Sequence, residues 1–168
     1  LYPARINDTK RQVEIVKRLS GKLSPQVKIL FAGTGGMVND LIDVIGDSSN
    51  FDFLGFRSDI YNLISNCDYM MLFSKHEGLP ISLIEATMMG LPVVCNNVGG
   101  NSEIVHNNEN GFVLQKDDWD GLVTVLNGLP KITSDEYRKM SLAGRNLYEN
   151  NFIFSNFKNN YLKLISSL

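Results

Sequence analysis

Cysteine and histidine are scarce in this chain, with two of each among 168 residues. Cys67 and Cys95 each lie in apolar surroundings and show no C-x-x-C spacing. They read as buried thiols in a reducing compartment rather than as a disulfide or a metal site. His76 and His106 stand apart, and no cluster has ligand spacing for zinc. Long apolar runs are also missing; YMMLF is among the longest, far too short to span a bilayer. No signal peptide opens the chain. A net charge of −2 gives no electrostatic case for a nucleic-acid partner. Basic residues cluster only near the start, at Lys10, Arg11, Lys17, Arg18 and Lys22, as a solvated helix face or a weak membrane-surface patch. An initiator methionine is lacking too, and Leu1-Tyr2-Pro3-Ala4 is already strand-like, so the chain reads as a piece of something longer.

What is present is a steady alternation. Short apolar runs occur at about 1–4, 27–32, 51–55, 68–73, 92–96 and 111–114. Helical patterns fall between them, near 9–22, 37–46, 59–66, 80–90 and 101–106. Buried runs alternating with amphipathic helices predict an α/β fold, a Rossmann-like doubly wound parallel sheet of about six strands. From Asp118 onward the pattern is helical throughout (119–126, 134–148 and 152–168), which predicts a helical C-terminal tail. The whole chain, 1–168, reads as a single domain. In open parallel sheets ligands bind beyond the carboxyl ends of the strands. The polar and glycine-rich segments that follow each run are therefore the place to seek a site.

Two acids in SKHEGLPISLIEATMMG stand out, Glu77 and Glu85. A helix starting at Pro80 would place Ile81, Ile84 and Met88 on one apolar face, with Glu85 in the i+4 slot of that face. Isoleucine fills the equivalent slot in Val38-Leu41-Ile42-Ile45 and Ile60-Leu63-Ile64-Cys67. A carboxylate buried there needs a donor or an opening to solvent, and a ligand hydroxyl pair supplies both; alternatively Glu85 points along the edge of the stripe. Arg5 ends the first strand and Lys10 opens a helix, where the dipole disfavours a cation unless an anion is held nearby. The other reading of the pair is surface cations matched to Asp8 or Glu14. Gly78-Leu79-Pro80 offers free N–H groups at a helix start. Gly33-Thr34-Gly35-Gly36 is a phosphate loop or a tight turn, since Val38 breaks the G-x-G-x-x-G pattern. Phe56 and Arg57 either lie against a base or belong to the core, and His76 either meets a sugar hydroxyl or is an ordinary loop residue.

Taken together, these segments resemble a known family. Glu77-x7-Glu85 within SKHEGLPISLIEATMMGLPVV is similar to the E-x7-E segment of retaining GT-B glycosyltransferases of family 4 (glycosyl transferases group 1). Ala4-Arg5-Ile6…Lys10 resembles that family's G/A-R-L-x-x-x-K, and Leu30-Phe31-Ala32-Gly33-Thr34-Gly35 its I-V-G-x-G strand. Phe53-Leu54-Gly55 is similar to its F-L-G, and Val98-Gly99-Gly100…Glu103-Ile104-Val105…Gly111-Phe112-Val113 to its G-G-x-x-E-I-V…G-x-L-V.

The resemblance implies the C-terminal, nucleotide-sugar-binding half of a two-domain enzyme. On that reading Arg5 and Lys10 hold the diphosphate, and Glu85 accepts from the ribose diol. Glu77 with Gly78 and Leu79 contacts the donor hexose. Ala4 in place of glycine, and Leu79-Pro80 where some relatives have Phe-Gly, are the departures; the second bears on hexose selectivity. The implied reaction transfers a hexosyl group, from a UDP-sugar first of all, to an acceptor hydroxyl with retention. It implies no metal and no cofactor. The sugar or lipid-linked acceptor would be held through an N-terminal domain outside this chain. Polysaccharide or glycolipid synthesis, a cytoplasmic location and peripheral association of the full-length protein with the inner face of the membrane are further expectations. A glycoside-hydrolase pairing of the two acids is set aside, because the helical phase of Glu85 suits a ribose clamp better. Two rivals stay open: one half of a GT-B nucleotide-sugar 2-epimerase, and a non-enzymatic nucleotide-binding module.

Overall fold

The computed structural model describes the backbone of residues 1–167, and it realises the expected alternation. Six strands form: β1 (Tyr2–Pro3), β2 (Ile29–Ala32), β3 (Phe51–Phe53), β4 (Met70–Leu72), β5 (Val93–Asn96) and β6 (Gly111–Leu114). Between and after them run α1 (Gln12–Leu19), α2 (Val38–Ile45), α3 (Ile60–Ser65), α4 (Ile81–Met88), α5 (Asn101–Ile104), α6 (Trp119–Asn127), α7 (Asp135–Asn151) and α8 (Phe154–Ser166). The expected last helix ran to 168, and that residue lies outside the described ones. The strands are shorter than their apolar runs, because several run residues pack in the loops beyond the ladder.

All pairing is parallel. β2 lies between β1 and β3, with Tyr2 opposite Phe31 and Ile29 opposite Phe51; β5 lies between β4 and β6, with Val93 opposite Met70 and Gly111. Main-chain hydrogen bonds join the ladders: Met71 N–H donates to the Leu1 carbonyl (2.8 Å) and the Leu1 nitrogen donates to the Tyr69 carbonyl (2.7 Å). The strand order is thus 3-2-1-4-5-6, reversing direction between β1 and β4. Right-handed crossovers then put α1 and α2 on one face and α4 and α5 on the other. Every residue of β5 is buried, as a strand covered on both faces must be, so its sequence VVCN shows no alternation. Phe31 anchors the core, with ring centroids 5.8 Å from Tyr2 and 6.2 Å from Phe51.

Three expectations need correction. Pro80 is the N-cap of α4, with extended backbone (φ −76°, ψ 117°), rather than its first helical residue. The buried face of α4 is Leu83, Ala86 and Thr87; Ile81 is 71% exposed, so Glu85 stands half-buried at the margin and not in the core. The helix is apolar on most sides, so periodicity alone does not select one face. Thr87 reads as polar but satisfies its hydroxyl on the Ile84 carbonyl (2.8 Å) and packs inward. Of the cysteines only Cys95 is fully buried, and desolvation pushes its thiol up to about 12; Cys67 is half-buried.

Candidate functional site

The carboxyl ends of β1 and β4 meet at the reversal point, and their loops are laced together. Tyr2 is fully buried, and its hydroxyl donates to the Lys10 carbonyl (2.6 Å) while accepting from Phe73 N–H (3.0 Å). Outside it, Lys75 N–H donates to the Thr9 carbonyl (2.8 Å), and the Lys75 ammonium reaches Asp8 (2.7 Å). Asn7 caps the turn through Lys10 N–H (2.9 Å), and the buried Gln12 amide donates to the Arg5 carbonyl (3.0 Å). This scaffold brings Lys10 Nζ to 2.6 Å from Glu77 Oε1, with the two side chains 22% and 7% exposed. Arg5 is exposed and joins no ion pair among the described residues. The acids proposed as its surface partners are engaged elsewhere, Asp8 with Lys75 and Glu14 with Arg11 and Arg18.

A third loop supports Glu77 from below. Gly100 N–H donates to the Gly78 carbonyl (2.7 Å). Gly99 has φ +55°, and a β-carbon there would lie 2.0 Å from the Glu77 carbonyl oxygen. Asn96 pins the same segment by accepting from Ser74 N–H (3.1 Å) and donating to the Ser74 carbonyl (2.7 Å); Asn101 in turn donates to the Asn96 carbonyl (2.9 Å). Above this support Gly78 opens onto free space, Leu79 is exposed, and the first turn of α4 keeps the unpaired N–H groups of any helix start. The outcome is two cations, one carboxylate and a helix N-terminus on one surface. Such a surface has the charge and the free N–H donors that suit an anion.

The remaining expected residues are spread around that cluster. A β-carbon on Gly33 or Gly35 would lie 2.0 Å from the carbonyl oxygens of Ala4 or Ile6, so both glycines let the β2 loop press on the Arg5 segment. Phe56 is 73% exposed, outside the core. Arg57 is forked onto Asp59 by two 2.7 Å bonds, which hold its guanidinium more basic and the Asp59 carboxyl more acidic than usual. His76 is exposed. None of these three is bonded to the Lys10–Glu77 pair among the described residues. Glu85, one turn into α4, accepts from the Tyr61 hydroxyl of α3 (3.2 Å), and the nearby negative charge makes that phenol less acidic.

Several participants had no clear sequence signal. Tyr2, Asn96 and Tyr61 are among them, although an asparagine inside an otherwise apolar buried strand was a usable hint. Arg11, expected in a solvated helix face or a weak membrane-surface patch, is instead buried in the left-handed conformation (φ 63°). Its guanidinium lies 4.5 Å from the Trp119 ring centre and pairs with Glu14 (2.8 Å) and Asp117 (2.6 Å). A hollow of about 340 Å³ between Asp8, Arg11, Lys17, Met37 and Lys75 adjoins the loop cluster. A larger one of about 580 Å³ lies at the opposite, amino end of the strands, far from these charges. Among the described residues no group of three or more His, Cys, Asp or Glu is placed to hold a metal ion, and no helix is long and apolar enough to cross a membrane.

Strand order and loop cluster together define an open, doubly wound α/β domain with its candidate site at the β1/β4 reversal. Residues 1–147 match the family model described as glycosyl transferases group 1, and the chain belongs to that family. It is 32% identical over 139 residues to the UDP-Gal:alpha-D-GlcNAc-diphosphoundecaprenol alpha-1,3-galactosyltransferase of Escherichia coli, a match covering 80% of this chain and 35% of that protein. It is 27% identical over 167 residues to the O-antigen biosynthesis glycosyltransferase WbnH of Escherichia coli, covering 98% and 46%. Among solved structures it superposes on Anabaena Alr3699/HepE in complex with UDP-glucose, with TM-score 0.86 and 26% identity over 99% of this chain and 48% of that one. The C-terminal domain of the group 1 family protein LpcC from Francisella tularensis is alike in fold alone, with TM-score 0.73, 21% identity and coverage of 91% and 85%. The fold expected from the sequence, one half of a GT-B architecture, is the one observed. The chain spans about a third to about half of the length of these two curated relatives.

Proposed function

We propose that this chain is the donor-binding half of a retaining glycosyltransferase that moves a hexosyl group from a nucleoside diphosphate sugar, UDP-sugars first, to an acceptor hydroxyl. The observation that carries the reading is the Lys10–Glu77 pair, 2.6 Å apart at the β1/β4 reversal beside exposed Arg5 and the start of α4. Lysine has three N–H donors, so one bond to Glu77 leaves two for a diphosphate. As the bond to the anomeric carbon breaks, its electron pair moves onto the departing phosphate oxygen. Arg5, Lys10 and the helix end stand where that charge grows, which is the most effective place for fixed positive groups. Two cations and a helix end do this without a metal ion. Glu77, Gly78 and Leu79, with His76 beside them, face the hexose, whereas Pro80, expected among them, is buried beneath the start of α4 and has no N–H to offer; Glu85 takes the ribose diol; Phe56 and Arg57 lie toward the base, with Gly33 and Gly35 seating the Arg5 loop.

A UDP-galactose relative and a neighbour bound to UDP-glucose support a uridine donor. Relatives that act on a diphosphoundecaprenol-linked sugar and in O-antigen biosynthesis support a sugar or lipid-linked acceptor in polysaccharide synthesis; a domain beyond this chain would bind it. Action in the cytoplasm, with the full-length protein peripheral to the inner membrane face, belongs to the same proposal. Calorimetry with UDP, GDP, ADP and uridine, with and without EDTA, tests it. UDP should bind regardless of chelator. Arg5→Ala and Lys10→Ala should each weaken UDP by about 1.5–3 kcal/mol, the worth of a charge-assisted hydrogen bond, and leave uridine nearly unchanged. No heat from any diphosphate, or equal losses for UDP and uridine, would sink the donor-site reading.

A further inference from the structure

Tyr2 stands on β1 with its ring wholly in the core against Phe31, a place where phenylalanine would bury as much apolar surface. Its hydroxyl adds only polar bonding, and a buried hydroxyl destabilises a core unless it is satisfied. Here it is satisfied on both sides by groups of two different loops, the Lys10 carbonyl at 2.6 Å and Phe73 N–H at 3.0 Å. One loop carries Lys10 and the other leads through Ser74 and Lys75 to Glu77. Lys10 N–H is held at the same time by the Asn7 side chain (2.9 Å), so both backbone polar groups of Lys10 are fixed by side chains rather than by helix.

The geometry points to Tyr2 as a positioning residue: its hydroxyl sets the backbone of Lys10 against the end of β4, and thereby aligns the Lys10 ammonium with Glu77 and the donor diphosphate. The diphosphate part of this inference rests on the donor-site reading above. The strut spans the seam between the ladders, where the sheet reverses and, among the described residues, no main-chain ladder bond between β1 and β4 continues past Met71. Burial also raises the phenol's pKa well above its usual range, so the hydroxyl stays a neutral donor at any working pH. Thr9 and Lys75 join the same loops at the surface, but they fix neither the carbonyl nor the amide of Lys10.

Tyr2→Phe removes the strut and keeps the ring. The first readout is the NMR signal of the Lys10 side-chain ammonium, identified by its loss in Lys10→Ala. Pairing with Glu77 should protect it in the wild-type chain, and in Tyr2→Phe it should broaden into exchange with water. The second readout is calorimetry. Tyr2→Phe should weaken UDP about tenfold and leave uridine within about twofold, with no further loss when combined with Lys10→Ala. A protected ammonium retained in Tyr2→Phe overturns the inference, as does an equal loss of UDP and uridine, or a variant that no longer folds, since each assigns the hydroxyl to the core alone. A wild-type chain without a protected Lys10 signal removes the premise. If wild-type protein binds no UDP, the donor-site reading falls by itself, while the NMR comparison still decides whether Tyr2 positions Lys10.

Discussion

Glu85 shows how much a single residue depends on its surroundings. Sequence periodicity puts it on a buried face, which would make it a carboxylate in need of a partner. The structure instead leaves it half-buried, with one oxygen accepting from Tyr61 at 3.2 Å and the other free. A long bond at an exposed site is weak, and a ribose diol can displace or share it. Glu85→Gln should therefore weaken UDP by about 1–2 kcal/mol and 2′-deoxy-UDP much less, since glutamine retains one acceptor but loses the charge. Equal losses for the two nucleotides would show that the carboxylate does not face the ribose. Because Glu85 is outside the core, the melting temperature should barely move.

At the level of elements, two glycines that look alike in sequence have opposite roles. Gly144 lies inside α7, where glycine is a poor helix former. A β-carbon there would meet only ordinary contacts, 3.6 Å to Asn110 and 3.8 Å to Thr87. Gly144→Ala should thus stabilise the fold by about 0.5–1 kcal/mol in urea unfolding. Gly99 is left-handed and presses on the Glu77 carbonyl, so Gly99→Ala should destabilise by about 2 kcal/mol or more and disturb the loop beneath Glu77. A neutral Gly99→Ala would mean that the two loops are not held in contact. Helix starts follow the same local logic: Asp118 and Ser134 cap α6 and α7 by accepting from Gly121 and Tyr137 N–H, and both were legible as boundaries of the helical tail.

For the molecule as a whole, the candidate site lies on one open edge of the sheet, with Arg5, Lys10 and Glu77 all in loops at carboxyl ends of strands. Nothing in the described residues covers that edge from the other side. If the acceptor is held by another domain, the isolated chain should bind UDP yet transfer no hexose to an added acceptor. Measurable transfer by these residues alone would place the acceptor site within this chain.

Local chemistry carried the alternation of six strands with helices, the loops that bear Arg5, Lys10, Glu77 and Gly78, and the family motif itself. Each of these is written in neighbouring residues through hydrophobic period, turn chemistry and short spacing, and survives without knowledge of the rest of the chain. Tertiary structure alone decided which face of α4 is buried, that Lys10 meets Glu77 across 67 residues of sequence, that Tyr2 ties Lys10 to Phe73, and that Arg11 is buried beneath Trp119. Those outcomes depend on strand order and on which surfaces compete for one another. A helix that is apolar on most sides, or a tyrosine that packs like phenylalanine, holds no local record of the partner its surface or its hydroxyl will meet.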